Sequence, residues 1–495
     1  MAAFAGRKRQ RKKRGAAEQT TEPIVVVAAL FVFMMAALGG SSRYDAMQLA
    51  ILLPIACLAA GYGLLKAWDK DWRELRTPLI VLLLWTGLCL LQLIPLPPDL
   101  WRALSGRGPM TLVADAIGDR DWRPLSMVPW RTQHALWMMA VPLSTLFVWA
   151  ALGRKAMRFA IVTIIAIALA SALLGILQAS YGESNVLHYY KYSDPRQPVG
   201  LFANPNHAAI FGAASMILIA GFARIAPRPQ PSWVFPSLGV IYFTLLMFQL
   251  INGSRGGLAL TALALGCSGM LFVIEKPRSR TKRGGSKLSN LLRSHRFSIA
   301  VPLVVISVVL LFLLYLADRM PALQRLSAAG PLDDLRFRVT PILVRMMGDF
   351  FPWGSGFGSF EDVFYAYETN DVLIPSYLNQ AHDDWLQVVI EGGLPAAALL
   401  IAGLLWIART LIRLWQSGRQ GRIAALCGAG ITTVLILGSG FDYPLRTPLF
   451  QMVAILLLGI LAPLPATFRD RQAGEVSFSH RASAVTEPAM EDGTP

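Results

Sequence analysis

The chain has 495 residues, of which 54% are hydrophobic and 15% charged, whereas a soluble domain carries about 25% charged residues. Together with a mean hydropathy of +0.48, this excludes an ordinary soluble enzyme and points to a membrane protein. The excess of 46 Lys and Arg over 30 Asp and Glu, a net charge of +16, would raise nucleic acid as a partner for a soluble chain. Here the basic residues sort between apolar blocks, and no nucleic-acid partner is expected.

A bilayer core is crossed by about 20 mostly apolar residues. Twelve such stretches follow one another, at residues 24–40, 46–65, 77–95, 132–152, 157–180, 205–223, 233–251, 256–275, 298–317, 394–412, 422–440 and 446–463. This predicts an all-α polytopic membrane protein with one transmembrane domain over 24–463. The basic tail 1–23, with its run RKRQRKKR, resembles the start of a secretory signal, but eleven later stretches make it an uncleaved anchor. The tail 464–495 is polar and reads as disordered.

Lys and Arg stay on the cytoplasmic side. With the N-terminus inside, 31 of the 46 basic residues fall in the inside set. The expected topology therefore has both termini cytoplasmic, a basic cytoplasmic loop at 276–297 suited to anionic lipid, and long outer loops at 96–131 and 318–393. Cys57, Cys89, Cys267 and Cys427 all fall within apolar stretches, which gives neither a disulfide framework nor a metal cluster. The chain has no phosphate-binding Walker loop, so no ATP-driven engine is expected.

The outer loop 96–131 places Trp101, Trp122 and Trp130 among prolines, a composition suited to a membrane interface. Within 318–393 the run DDLRFRVTPILVRMMGDF at 333–350 has helical periodicity. Leu335, Val339, Ile342, Leu343, Met346, Met347 and Phe350 fall on one side, with Asp333 or Asp334 as the cap. Arg336 lies near that apolar face and Arg338 and Arg345 away from it, while Pro341 is a candidate kink. The following WGSGFGSF at 353–360 reads either as a turn whose glycines admit a glycan or phosphate to the backbone, or as a flexible turn.

Three spans that run from outside to inside open with polar motifs: NPNH at 204–207, NGSRGG at 252–257 and AHDD at 381–384. Asn204 followed by Pro205 fits a cap and first helical position. Ser254 caps a helix beginning at Arg255, and Asp383 or Asp384 caps the helix carrying Trp385. Each start presents free backbone N–H groups and a positive dipole end outward, which with nearby arginines suits an anionic group such as a diphosphate. His207, Arg255 and His382 occupy these starts. The two carboxylates after His382 are placed to orient an imidazole.

These segments resemble the O-antigen ligase and polymerase family. The match is carried by GLFANPNHAA and NGSRGGLAL, by the Arg-bearing helix before DFFPWGSGFGSF, by AHDDWLQVVIEGGLPAA, and by GSGFDYPLRTP before the last stretch. Many relatives have Asn where this chain has Asp383 and Trp where it has Thr340. The resemblance implies an inner-membrane glycosyltransferase whose donor is a glycan on undecaprenyl diphosphate, displayed at the periplasmic face. A ligase would pass the glycan to a sugar hydroxyl of the lipid A core, and a polymerase to a second lipid-linked glycan.

On this reading Arg255 and Arg336 stabilise charge on the departing diphosphate. His382 removes the acceptor proton, and displacement inverts the anomeric centre with no metal or other cofactor required. Arg338, Asn204, Asn206, His207, Ser254, Asp383 and Glu391 are the expected substrate-binding residues. The rival class, a transporter or flippase, places its charges at the membrane midplane. Here the polar motifs sit at the outer ends of the helices.

Overall fold

A computed structural model describes residues 22–181, 187–227, 229–273, 335–370, 372–373 and 378–468. The expected ninth stretch, the loop 276–297, the caps Asp333 and Asp334, most of the N-terminal tail and the C-terminal tail from residue 469 lie outside these residues.

The described elements open with α1 (Pro23–Leu38), α2 (Leu49–Ala67) and α3 (Arg76–Gln92). The short helices α4 (Pro98–Arg102) and α5 (Gly108–Ala116) follow, flanked by the two-residue strands β1 (Pro95–Leu96) and β2 (Arg123–Pro124), which pair antiparallel. This small ladder is a local departure from an all-helical chain. Next come α6 (Pro129–Met138), α7 (Ala140–Leu152), α8 (Ala156–Tyr181), α9 (Pro205–Ile225), α10 (Val234–Ile251) and α11 (Arg255–Val273). The described elements end with α12 (Leu335–Phe350), α13 (Phe360–Phe364), α14 (Asp384–Gln416), α15 (Gly418–Ser439) and α16 (Pro448–Leu461).

Among the described residues, eight helical stretches are long and apolar enough to cross a membrane, and α1 and α3 are shorter apolar helices. One of the eight is the run Pro129–Tyr181, which holds the fourth and fifth expected spans and turns at Gly153, where φ is +54°.

The core is built round α9. Every residue from His207 to Gly221 is buried, the condition of a helix that is apolar all round and packed on all sides. It lies against α8, α10, α11 and α15. The start of α11 approaches α9 so closely that a Cβ on Gly257 would lie 2.4 Å from the Ala209 Cβ. The second glycine of the SRGG motif is thus required by helix packing.

The tenth expected span begins ten residues early. α14 starts at Asp384 and is interrupted at Gly393, whose φ of +61° is non-helical. Around this break the carbonyls of Ile390 and Glu391 accept from Ser355 N and Gly356 N, at 2.9 Å each, and Leu394 N donates to Pro352 O at 2.8 Å. A Cβ on Gly354 would lie 2.4 Å from Glu391 O, and one on Gly393 2.1 Å from Pro352 O. The glycine-rich run is therefore a packed junction at Gly354 and Gly393.

The expected outer loops pack together. Arg131 pairs with Glu361 at 3.0 Å and Asp362 at 2.7 Å, and Met127 N donates to Ser355 O at 2.8 Å. Trp101 departs from the expected interface role. It is buried, and its indole N–H donates to Pro124 O at 2.9 Å, whereas Trp122 and Trp130 are exposed.

α12 has the predicted phase: Val339, Leu343, Met346 and Phe350 are buried against Phe360, Val363 and Phe364. It continues through Pro341, because only one backbone donor is lost and most of the helix is held by its buried face.

Candidate functional site

The three polar helix starts come together. Asn204 caps α9 by accepting from Asn206 N at 2.8 Å, and Ser254 caps α11 through its hydroxyl, which accepts from Gly257 N at 2.8 Å. Asp383 caps α14, accepting from Trp385 N and Leu386 N at 2.9 and 3.0 Å. The Ser254 hydroxyl donates to Asn206 Oδ1 at 2.6 Å and so ties the first two starts to each other.

Asn204, Asn206, His207, Ser254, Arg255, Arg336 and His382 line one cavity of about 1110 Å³. Three expected residues are not brought to it. Arg338 is exposed on α12. Asp383 is engaged as the cap. Glu391, 1% exposed, accepts from Gln387 Nε2 at 2.9 Å and Arg446 Nη1 at 3.0 Å.

At the centre is a residue that sequence reasoning missed. Asp442, fully buried between α15 and α16, accepts from Asn204 Nδ2 at 3.2 and 3.3 Å, from Asn206 Nδ2, and from Tyr443 N at 2.9 Å. His207 Nε2 lies 3.3 Å from Oδ1, His382 Nδ1 3.6 Å from the same oxygen, and an Arg336 guanidinium nitrogen 3.9 Å from Oδ2. One carboxylate therefore faces cationic or imidazole groups from α9, α12 and the start of α14. The motif GSGFDYPLRTP contained the signal, but a lone Asp before Tyr and Pro reads as a turn residue until the fold brings three helix starts round it.

The electrostatics follow from this crowding. Burial alone raises the Asp442 carboxyl, but the imidazoles of His207 and His382 more than offset it and hold it well below the usual carboxylate range. Tyr443 is pushed up by burial and by the Asp442 charge, so its phenol stays protonated. Its ring packs edge-on between the His207 and His382 rings, with centroids 5.0 and 4.8 Å away.

His382 has a left-handed backbone, φ +53°, which a non-glycine residue seldom adopts. Its Nδ1 edge is buried toward Asp442 while 24% of the side chain is exposed. The carboxylate the imidazole faces is thus Asp442, at 3.6 Å and without a hydrogen bond to Nδ1, and not Asp383 or Asp384 as expected. Asp384 instead faces Arg446, whose Nε donates to it at 3.2 Å. Burial lowers Arg446, but Glu391 and Asp384 outweigh that and raise it.

A second cavity of about 1310 Å³, lined mainly by apolar side chains of the helices, shares Ser41, Ser42, Arg43 and Asn379 with the first.

A family model described as O-antigen ligase matches residues 238–401. The matched stretch carries Ser254, Arg255, Arg336 and His382, while Asn204, His207 and Asp442 lie outside it. The resemblance read from the motifs to the O-antigen ligase family therefore holds over this stretch. The curated proteins searched give no match.

Proposed function

We propose that this chain, identified with the O-antigen ligase family through residues 238–401, is a glycosyltransferase that moves a glycan from undecaprenyl diphosphate to a sugar hydroxyl of the lipid A core at the periplasmic face. It is an inner-membrane protein with one transmembrane domain over 24–463 and both termini cytoplasmic. The observation that carries this reading is the convergence on one cavity of two helix starts, two arginines and the histidine that precedes a third helix and faces a buried carboxylate.

The chemistry follows from the geometry. A glycosyl diphosphate already has a good leaving group, so catalysis requires stabilisation of the departing phosphate charge and removal of the acceptor proton. Arg255 and Arg336 supply fixed positive charge, aided by the dipoles of α9 and α11. His382 takes the proton as general base. Asp442, 3.6 Å from Nδ1, stabilises by its charge the imidazolium that forms, and the other ring nitrogen is left for the acceptor. Direct displacement inverts the anomeric centre. The apolar cavity that meets the polar one at Ser41–Arg43 suits a lipid-linked donor, with the chain among helices and the diphosphate among arginines.

A polymerase would use the same groups with a second lipid-linked glycan as acceptor. The test is gel profiling of surface glycan in a deletion strain. Loss of glycan from lipid A with long chains retained on the carrier supports the ligase. Cores or carriers bearing a single repeat support the polymerase, and unchanged glycan on both overturns the enzymatic reading.

A further inference from the structure

The polar cavity is larger than the diphosphate and histidine cluster requires. Its other wall is built from residues 40–48 and 189–197 and carries Arg43, Asp45, Tyr189, Lys191, Tyr192 and Asp194. Tyr189 and Tyr192 are 41% and 56% exposed. Arg43 stacks 4.0 Å over the Tyr192 ring and holds Asp45 in a two-pronged pair at 2.8 Å on each side.

This wall is held to the reaction centre. The Tyr190 hydroxyl accepts from Gly40 N at 2.6 Å, and Ala203 N donates to Gly40 O at 2.9 Å one residue before the cap Asn204. Asn252 Nδ2 donates to Pro198 O at 2.8 Å, two residues before Ser254. The rings are thus presented on a backbone bolted to the starts of both α9 and α11.

We propose that this wall is a saccharide subsite, in which Tyr189 and Tyr192 stack on the C–H faces of a pyranose while Arg43, Asp45 and Asp194 meet its hydroxyls. An aromatic face matches the apolar side of a sugar ring, and planar charged groups fixed by one another offer donors and acceptors at little entropic cost. A lipid tail would reject the charges, and a bare phosphate would gain nothing from the rings. The sugar ring belongs either to the acceptor or to the donor glycan. The inference rests on the glycosyltransferase reading given above.

The experiment uses the full chain in detergent with two probes, delipidated core oligosaccharide and delipidated surface glycan from the host cell, each titrated by saturation-transfer NMR. Tyr192→Ala is expected to weaken binding of one probe about tenfold, roughly the contribution of one stacked ring, with Tyr192→Phe restoring it because the phenol oxygen is not needed for stacking. In transfer assays the loss falls on KM for the matching substrate and not on kcat. Core oligosaccharide as the affected probe assigns the wall to the acceptor, and surface glycan assigns it to the donor. Wild-type binding of both probes by Tyr192→Ala and by a Tyr189→Ala, Tyr192→Ala double variant overturns the subsite. Saccharide binding that depends on Tyr192 in a protein devoid of transfer would instead remove the enzymatic reading and leave the subsite standing.

Discussion

His382 and Asp442 separate two roles that sequence alone merges. Asp383, and not His382, caps α14, and His382 sits in the left-handed region, which asparagine tolerates better than most residues. His382→Asn therefore keeps the backbone and removes the proposed base. Transfer in a purified assay with lipid-linked donor is expected to fall about 100- to 10,000-fold, and wild-type rates would decide against the base. Asp442→Asn, which leaves the shape intact but removes the charge behind the ring, is expected to cost about a hundredfold or more in kcat.

The same substitution has a pH signature. Because the folded Asp442 carboxyl lies below its unfolded value of about 3.9, its stabilisation is complete above about pH 4 and is lost as pH falls through the folded value. Where the imidazoles that lower Asp442 are protonated, Asp442→Asn should melt below wild type, with the gap closing as pH falls through the folded carboxyl value. Arg255→Lys keeps charge but not the planar fork, and transfer should fall at least about tenfold while the protein still inserts.

At the scale of elements, α12 carries Arg336 to the cavity by burying Val339, Leu343, Met346 and Phe350. Arg336 and Arg338 are two residues apart, about 200° round the helix, so Arg336→Ala should impair transfer strongly and Arg338→Ala little. Leu343→Ala removes packing at a fully buried position, with an expected cost of about 3 kcal/mol, and should lower transfer with Arg336 untouched. The thermal stability and activity of purified variants check both. The break in α14 is a second such device: at Gly393 the first segment ends against the glycine-rich junction. Arg446 binds the arm to the turn bearing Asp442 through Asp384 and Glu391.

For the whole molecule, residues 39–48, 96–131, 187–204, 336–370, 378–382 and 440–449 are joined by direct contacts such as Ala203 N to Gly40 O and Leu449 N to Gly39 O, both 2.9 Å. Lys155 and Glu22, expected together on the cytoplasmic side, pair at 2.8 Å. We expect the first group to be periplasmic and residue 286 cytoplasmic. Cysteine labelling in a background lacking Cys57, Cys89, Cys267 and Cys427 checks this, and impermeant reagent reaching Ser286→Cys in intact cells would overturn the topology.

The sequence by itself determined the membrane-spanning helical class, the three capped helix starts and the phase of α12. Each depends on local composition or on neighbours within a turn or two: apolar length, a side-chain oxygen beside free N–H groups, an apolar stripe at helical spacing. It also singled out Arg255, Arg336 and His382, because basic residues at helix starts are conspicuous in an apolar chain. What only the tertiary structure decided is what those groups face. Asp442 lies 238 residues from Asn204 and is buried among residues of three other segments, while Asp383 accepts from Trp385 N and Leu386 N and Glu391 from Gln387 and Arg446. A carboxylate's function is set by which charges share its low-dielectric surroundings, and those neighbours are chosen by the packing of helices, which no local pattern records.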